Sequence, residues 1–233
     1  MRNLKLLLAL GFLPLLGCAA APVAAPAPPA PQAPWQQAVA TIQKAGGKVT
    51  LDAAHPAPPV PAVDLHGVRV GDDLLDALSC LPTLRDLNLY NTGLTDEGVA
   101  RLRGLHEILT LNLRATRVTD AGMASLSAMP KLRALYLSGT GIGDAGLARL
   151  ADLPGLKELD LTETRVTDQG LATLAGLKGI QSLSLSGGAI TDAGLAHLAG
   201  LRGLHELSLA RTGVTDAGVE ALRKALPQLR ISR

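Results

Sequence analysis

A 24-residue period runs through most of the chain. Leu84, Ile108, Leu132, Leu156, Ile180 and Leu204 open six units, and each is followed at fixed offsets by two leucines, from Leu87 and Leu89 to Leu207 and Leu209. Next come Thr92, Thr116, Thr140, Thr164, Gly188 and Thr212, then an aliphatic residue, then Asp96, Asp120, Asp144, Asp168, Asp192 and Asp216. A Gly follows each Asp at two residues, and a Leu (Leu102 to Leu222) completes the unit. A period of this length marks a small unit that cannot bury its own apolar face and folds only by stacking on copies of itself.

The spacing also says what each unit is. Leucines two apart share one face of a strand. After a turn, Thr-Asp supplies a helix N-cap and a carboxylate near the positive end of a helix. The third unit has Gly143 in place of that Thr. Val99, Leu102 and Leu105, with their equivalents, fall on one helical side. The Asp column is therefore expected to cap helices, and the earlier Thr column to satisfy backbone groups in the turn. Strands stack about 4.8 Å apart and helices need about 8–10 Å, so the array is expected to curve with its strands inside. Aromatic residues make up only 2% of the chain and apolar ones 47%, which suits thin, repeated aliphatic layers.

The pattern LxxLxLxxT followed by (V/I)TDxGLxxLxxL resembles the leucine-rich repeats, in particular the cysteine-containing subtype of F-box receptors and similar bacterial proteins, with Thr in place of Cys. The resemblance implies an α/β leucine-rich-repeat solenoid: a curved, right-handed β-α superhelix with a parallel concave sheet and short convex helices. Units run over 84–227. A degenerate first unit covers 60–83, with Val63, Leu65, Val70, Asp72, Leu78 and Leu81 in phase, and 228–233 ends the array, where Leu226, Leu229 and Ile231 repeat LxxLxL two residues early. Residues 35–59 read as an N-terminal cap: Trp35, Val39 and Ile42 lie on one helical side, Gly46-Gly47 stops the helix, and Val49 and Leu51 alternate as a strand. Trp35 reads either as part of this cap or as a ligand contact.

Residues 1–17 read as an address. Arg2 and Lys5 precede an apolar run from Leu6 to Leu16, too short to span a bilayer comfortably. The run ends Leu15-Leu16-Gly17-Cys18, which resembles the bacterial lipobox and implies acylation of Cys18. Ala19 after the cysteine implies export to the outer membrane. The other reading is an ordinary signal peptide cut near Ala20 or Ala21. Residues 18–34, rich in Ala and Pro, read as an extended tether of up to about 50 Å.

No phosphate loop and no nucleophile elbow occurs in the sequence, and the histidines fall at different phases of the repeat. The expectation is a protein that is not an enzyme and takes no cofactor or metal. A formal net charge of +2 gives no argument for nucleic acid. Residues that flank the strand leucines point out of the concave sheet, and Asn88, Tyr90, Asn112, Arg114, Tyr136, Glu158 and Asp160 are the candidate contacts. Glu158, Asp160 and Glu163 read as an acidic patch, with Arg114 and Arg117 as a basic patch beside it. Both tyrosines of the chain lie on this face, and tyrosine is enriched at interface hot spots. A merely solvated sheet face is the other reading. Cys80 is expected to be buried and inert, with an intermolecular disulfide as the alternative. The function expected is a monomeric, lipid-anchored module that binds an unidentified protein or peptide at the cell envelope. The alternative is an envelope scaffold without a dedicated ligand face.

Overall fold

The computed structural model describes residues 33–52, 54 and 60–233. Residues 1–17, Cys18, the tether up to residue 32 and part of the stretch expected to form the cap lie outside the described residues.

The folded unit opens with helix α1 (Pro34–Lys44) and strand β1 (Lys48–Thr50), followed by β2 (Ala62–Asp64) and α2 (Asp72–Ser79). The coils continue as β3 (Asp86–Asn88), α3 (Asp96–Arg101), β4 (Thr110–Asn112), α4 (Asp120–Met123), β5 (Ala134–Tyr136) and α5 (Asp144–Leu147). They finish with β6 (Glu158–Asp160), α6 (Asp168–Leu174), β7 (Ser182–Ser184), α7 (Asp192–Leu198), β8 (Glu206–Ser208), α8 (Asp216–Ala225) and β9 (Arg230–Ser232). The nine strands form one sheet in sequence order; β1 is antiparallel to β2 and every later pair is parallel. Register follows the period: Val63 pairs with Leu87, Leu87 with Leu111, and so on to Leu207 with Ile231. Together with the helix on the far side of every coil, this is the α/β leucine-rich-repeat solenoid that the period implies.

The leucine columns form one continuous interior. Leu87, Leu111, Leu135 and Leu159 are each no more than 1% exposed, as are Leu102, Leu126 and Leu150 on the helix side. Each coil's leucines touch those of its neighbours, so burial is completed only by stacking. Short helices suffice for this. α4 and α5 are each four residues long and pass into 3-10 turns at Leu126–Ala128 and Ala148–Asp152.

α1 and β1 cover one end of the stack. Ala38 and Ile42 are buried, and Trp35, Val39 and Val49 pack against the core. α1 ends in a left-handed Gly46 (φ +93°), with Gly47 N–H bonded to Ile42 O (2.9 Å) and Gly46 N–H to Gln43 O (3.0 Å). This is the Schellman arrangement, which needs glycine at the left-handed position. Leu51 does not alternate inward with Val49; it is 55% exposed. At the other end, Ile231 lies opposite Leu207 and so keeps the 24-residue register, not the early spacing expected. α8 is a full helix of ten residues, and Leu226 and Leu229 close the turns after it before β9 begins.

Two expectations about single residues are corrected. Cys80 is exposed, at the C-terminal end of α2, with its thiol directed at Asp76 O. The Asp column, expected to cap its own helices, does not do so: among the described residues no carboxylate of the column accepts an N–H of its own helix. Each carboxylate reaches forward to the next coil. Asp96 accepts from Thr119 N–H (2.7 Å) and Oγ1 (2.6 Å), and Asp144, Asp168 and Asp192 hold Thr167, Thr191 and Thr215 in the same way. The Thr hydroxyl reaches its own helix only weakly, at 3.3–3.4 Å where it does so. Where Gly143 replaces Thr, Asp120 keeps the N–H bond alone (2.7 Å). The last carboxylate, Asp216, takes Arg233. This staple also explains the glycine column: a Cβ on Gly146, Gly170, Gly194 or Gly218 would overlap the Asp Oδ1 of the preceding coil. The other Thr column behaves as read, since the hydroxyls of Thr92, Thr116, Thr140, Thr164 and Thr212 donate to the carbonyl three residues back at 2.6–2.8 Å.

Candidate binding face

Each three-residue strand sends its central leucine inward and its two flanking side chains out onto the concave sheet. The candidate residues occupy those outward positions, and several of them have duties in the fold. Asn88, Asn112 and Asp160 stand at the same phase, and each accepts the N–H two residues on: Tyr90 N at 3.1 Å, Arg114 N at 3.1 Å and Thr162 N at 2.9 Å. These Asx turns end the strands and bend the chain towards the convex side. Asn88 also donates to Asp64 (2.9 Å), whose carboxylate holds the ring of His66. Burial raises the Asp64 pKa, but the bonds from His66 outweigh it and hold the carboxyl below its ordinary value.

Arg114, Tyr136, Glu158 and Asp160 come together across β4, β5 and β6. The Arg114 guanidinium lies 4.5 Å over the Tyr136 ring and reaches past it to Asp160, with Nε and a terminal nitrogen both on Oδ2 (2.8 and 2.6 Å). Asp160 is buried and Arg114 half-buried, so this pair is less screened than those at the surface. The cation also sits where the negative face of the ring favours it. Burial first, and then the Glu158 carboxylate beside it, push the Tyr136 hydroxyl's pKa up to about 12. The acidic and basic patches are therefore not separate: Arg114 neutralises Asp160, and Glu163 pairs with Arg211 (2.7 Å), two coils away. Arg117 is exposed beyond the end of β4 and does not join the cluster. The Glu163–Arg211 pair and the hydroxyl pairs Thr162–Ser184 (2.8 Å) and Ser186–Ser208 (2.9 Å) were not expected from the sequence. Their signal was present as polar residues one or two periods apart at neighbouring phases.

Tyr90 stands apart from this network. Its side chain is exposed at 45%, on the rim of a hollow of about 440 Å³ lined by Asn112, Arg114, Ser138 and Glu163. Further along the same face, Ser182, Ser184, Ser208 and Ser232 surround a second hollow of about 400 Å³. Among the described residues no group of three or more His, Cys, Asp or Glu could hold a metal, and no helix is long and apolar enough to cross a membrane.

The family described as Leucine Rich repeat matches residues 80–102, 128–151, 154–175 and 202–222. No curated protein matches in sequence. Among solved structures, an internalin (inlF) from Listeria monocytogenes is similar with a TM-score of 0.62 at 20% identity, over 73% of this chain and 46% of that one. Internalin C2 (inlC2) from the same organism gives 0.60 at 23% identity, over 75% of this chain and 80% of that one. This chain thus spans less than half of the inlF structure, and at such identities the likeness concerns the fold alone. Period, register, family match and structural likeness agree: the chain is built of leucine-rich repeats and folds as a leucine-rich-repeat solenoid.

Proposed function

We propose that the protein is a lipid-anchored module of the cell envelope that binds a protein or peptide through its concave face, held at the outer membrane by acylated Cys18. The observation that carries the binding reading is Tyr90, a half-exposed aromatic ring on the rim of a concave hollow that it shares with Asn112, Arg114, Ser138 and Glu163. An aromatic side chain in that setting offers a large rigid contact with little entropy to lose. A photo-reactive phenylalanine analogue placed at Tyr90 in growing cells is expected to cross-link one envelope protein. Asn112→Ala with Tyr136→Ala is expected to weaken that product. A partner set that is the same with the probe on the convex helices sinks the reading. The address is tested separately: Cys18→Ala is expected to abolish palmitate labelling and to release the protein from outer-membrane fractions, and unchanged labelling overturns it.

A scaffold role without a ligand face has its own support. Arg114, Arg211 and Arg230 are all engaged by acids of the same sheet, so most concave charges already have partners. Cross-linking at Tyr90 separates the two readings.

A further inference from the structure

Charge is sorted across the width of the solenoid. Strands β2 to β9 all run the same way, so the turns leading into strands lie along one edge and the turns leading out lie along the other. The helix ends and turns leading into the strands (77–85, 101–109, 125–133, 149–157, 173–181, 197–205 and 221–229) carry eleven Lys and Arg against two acids, Glu107 and Asp152, with Arg101 paired to Asp72 and Asp76 and Arg223 to Glu220. The turns leading out (66–73, 90–97, 114–121, 138–145, 162–169, 186–193 and 210–217) carry five against ten. A nearly neutral chain therefore has one basic edge and one acidic edge.

The basic edge is built on a regular backbone. Leu109 N–H bonds Arg85 O (2.7 Å), Arg133 N–H bonds Leu109 O (2.8 Å) and Lys157 N–H bonds Arg133 O (2.8 Å), which sets these cations about 5 and 10 Å apart in a line. Arg85, Arg133 and Lys157 are exposed and make no ion pair among the described residues. The line continues with Gln181 and His205; Lys178 and Arg202 lie three residues before them in the same turns, and Glu107 is already occupied by Lys131 (2.6 Å). The acids that begin the strands belong to the concave face: Glu158 neighbours Tyr136, Glu206 holds Arg230, and Asp86 is exposed at the start of β3.

Helix α1 begins at this same edge. β1 is antiparallel to β2, with Lys48 opposite Asp64, so the C-terminal end of α1 lies at the acidic edge, where Lys44 and Ala45 share a hollow with Gly71, Asp72 and Asp73. The N-terminal end of α1, Ala33–Pro34, is then at the basic edge.

We propose that the basic edge docks the solenoid edge-on against an anionic lipid surface, leaving the concave face open to the side. The proposal rests on the reading that Cys18 is acylated, which would hold this edge within reach of headgroups; the sorting of charge is independent of it. Arg133 and Lys157, one strand spacing apart, lie within the roughly 8 Å screening length at physiological salt, and Arg85 stands just beyond it, so neighbouring cations of the edge act on a charged surface together.

The test uses the full chain with Cys18→Ser, sedimented with vesicles of equal phosphatidylglycerol and phosphatidylcholine, or of phosphatidylcholine alone. Stronger binding to the anionic vesicles, lost at 500 mM NaCl, is expected. Arg85→Glu, Arg133→Glu and Lys157→Glu together are expected to lower it at least tenfold. Arg69→Glu, Arg117→Glu and Arg165→Glu on the acidic edge change net charge equally and are expected to lower it far less. Equal loss in both triple variants, no preference between vesicles, or retention on polyglutamate without vesicle binding overturns the proposal; the last makes the partner an acidic polypeptide. Palmitate labelling of the wild-type chain reports the anchor separately. An unlabelled chain with charge-dependent binding removes the address and keeps the docking edge, and a labelled chain without it does the reverse.

Discussion

The turn that leaves each strand and the concave face it leaves from obey different rules. In the turn, the same Asp meets the same Thr in coil after coil, and a glycine of the next coil leaves room for the carboxylate. On the concave face the side-chain partners change along the array: Arg114 skips over Tyr136 to Asp160, Glu163 reaches two coils on to Arg211, and serines pair further along. Repetition in the turn is a geometric demand of stacking, which every coil must meet. Variation on the sheet is free of that demand, and it is there that a specific partner would be recognised.

The contrast breaks first if the turn tolerates bulk. Gly194→Ala would drive a Cβ into Asp168 Oδ1 and within 3.0 Å of Leu171. We expect a loss of about 3 kcal/mol in urea unfolding, the upper range for overpacking. Gly104→Ala, with no atom within 4 Å of its Cβ, is expected to change stability by less than about 0.5 kcal/mol. Equal effects at the two sites would mean that the glycine column has another cause.

Removing the carboxylate tests the staple itself. Asp144→Ala leaves Thr167 N–H and hydroxyl without their acceptor and is expected to cost about 2 kcal/mol. Asp120→Ala is expected to cost about half as much, because Gly143 offers only its N–H. The same staple predicts acid sensitivity. Hydrogen bonds from the Thr215 side chain and backbone hold the Asp192 pKa below its ordinary value. A depressed pKa in the fold stabilises it above the unfolded value and loses that contribution as pH falls through the folded one. Thermal melts from pH 5 down to pH 3 are expected to fall more steeply for wild type than for Asp192→Asn.

Much of this was legible in the sequence because stacking enforces period. Leu87 to Leu207 fixed the register, and the Asp column marked the start of helices α3 to α8. What the period could not show was direction. An Asp one residue inside a helix looks like an aid to that helix, and only the fold shows Asp168 facing Thr191, 23 residues on. The concave pairs were hidden for the opposite reason: Arg114 and Asp160 are separated by nearly two periods and by a tyrosine between them. Another column was mixed enough to pass unnoticed. Gly67, Asn91, Ala115, Gly139, Glu163, Gly187 and Arg211, one per coil, all take a left-handed backbone, with φ between 52° and 73°.

That column gives a smaller test of what the turn tolerates. Ala115 holds φ +52° and Gly139, at the same phase of the next coil, φ +67°. The left-handed conformation costs a residue with a Cβ about 1 kcal/mol. Ala115→Gly is therefore expected to stabilise by about that amount, less the extra entropy of glycine in the unfolded chain, and Gly139→Ala to destabilise by a similar amount. With the two terms partly offsetting, thermal unfolding reads both as opposite shifts of about 1–2 °C. A destabilising Ala115→Gly would show that the side chain contributes more by packing than its backbone loses.

The finest expected effect lies on the variable face and concerns a single proton. With Tyr90→Phe, Tyr136 is the sole tyrosine left in the chain, so tyrosinate absorbance reports it alone, with a midpoint of about 12. Burial and the Glu158 carboxylate both disfavour the phenolate, while Arg114 favours it. Glu158→Gln removes a negative charge and a charged acceptor, so the midpoint is expected to fall towards 10 but to stay above it, since burial is untouched. The stability sign follows. A pKa raised in the fold helps stability below the unfolded value and is lost as pH climbs from 10 towards 12, so alkaline unfolding of Tyr136→Phe should be less pH-dependent over that window. If Glu158→Gln leaves the midpoint unmoved, the hydroxyl is not held by Glu158. The cluster over β4 to β6 would then be an arginine clasp on Asp160 with a tyrosine beneath it, and Tyr136 would be as free as Tyr90 to meet a partner.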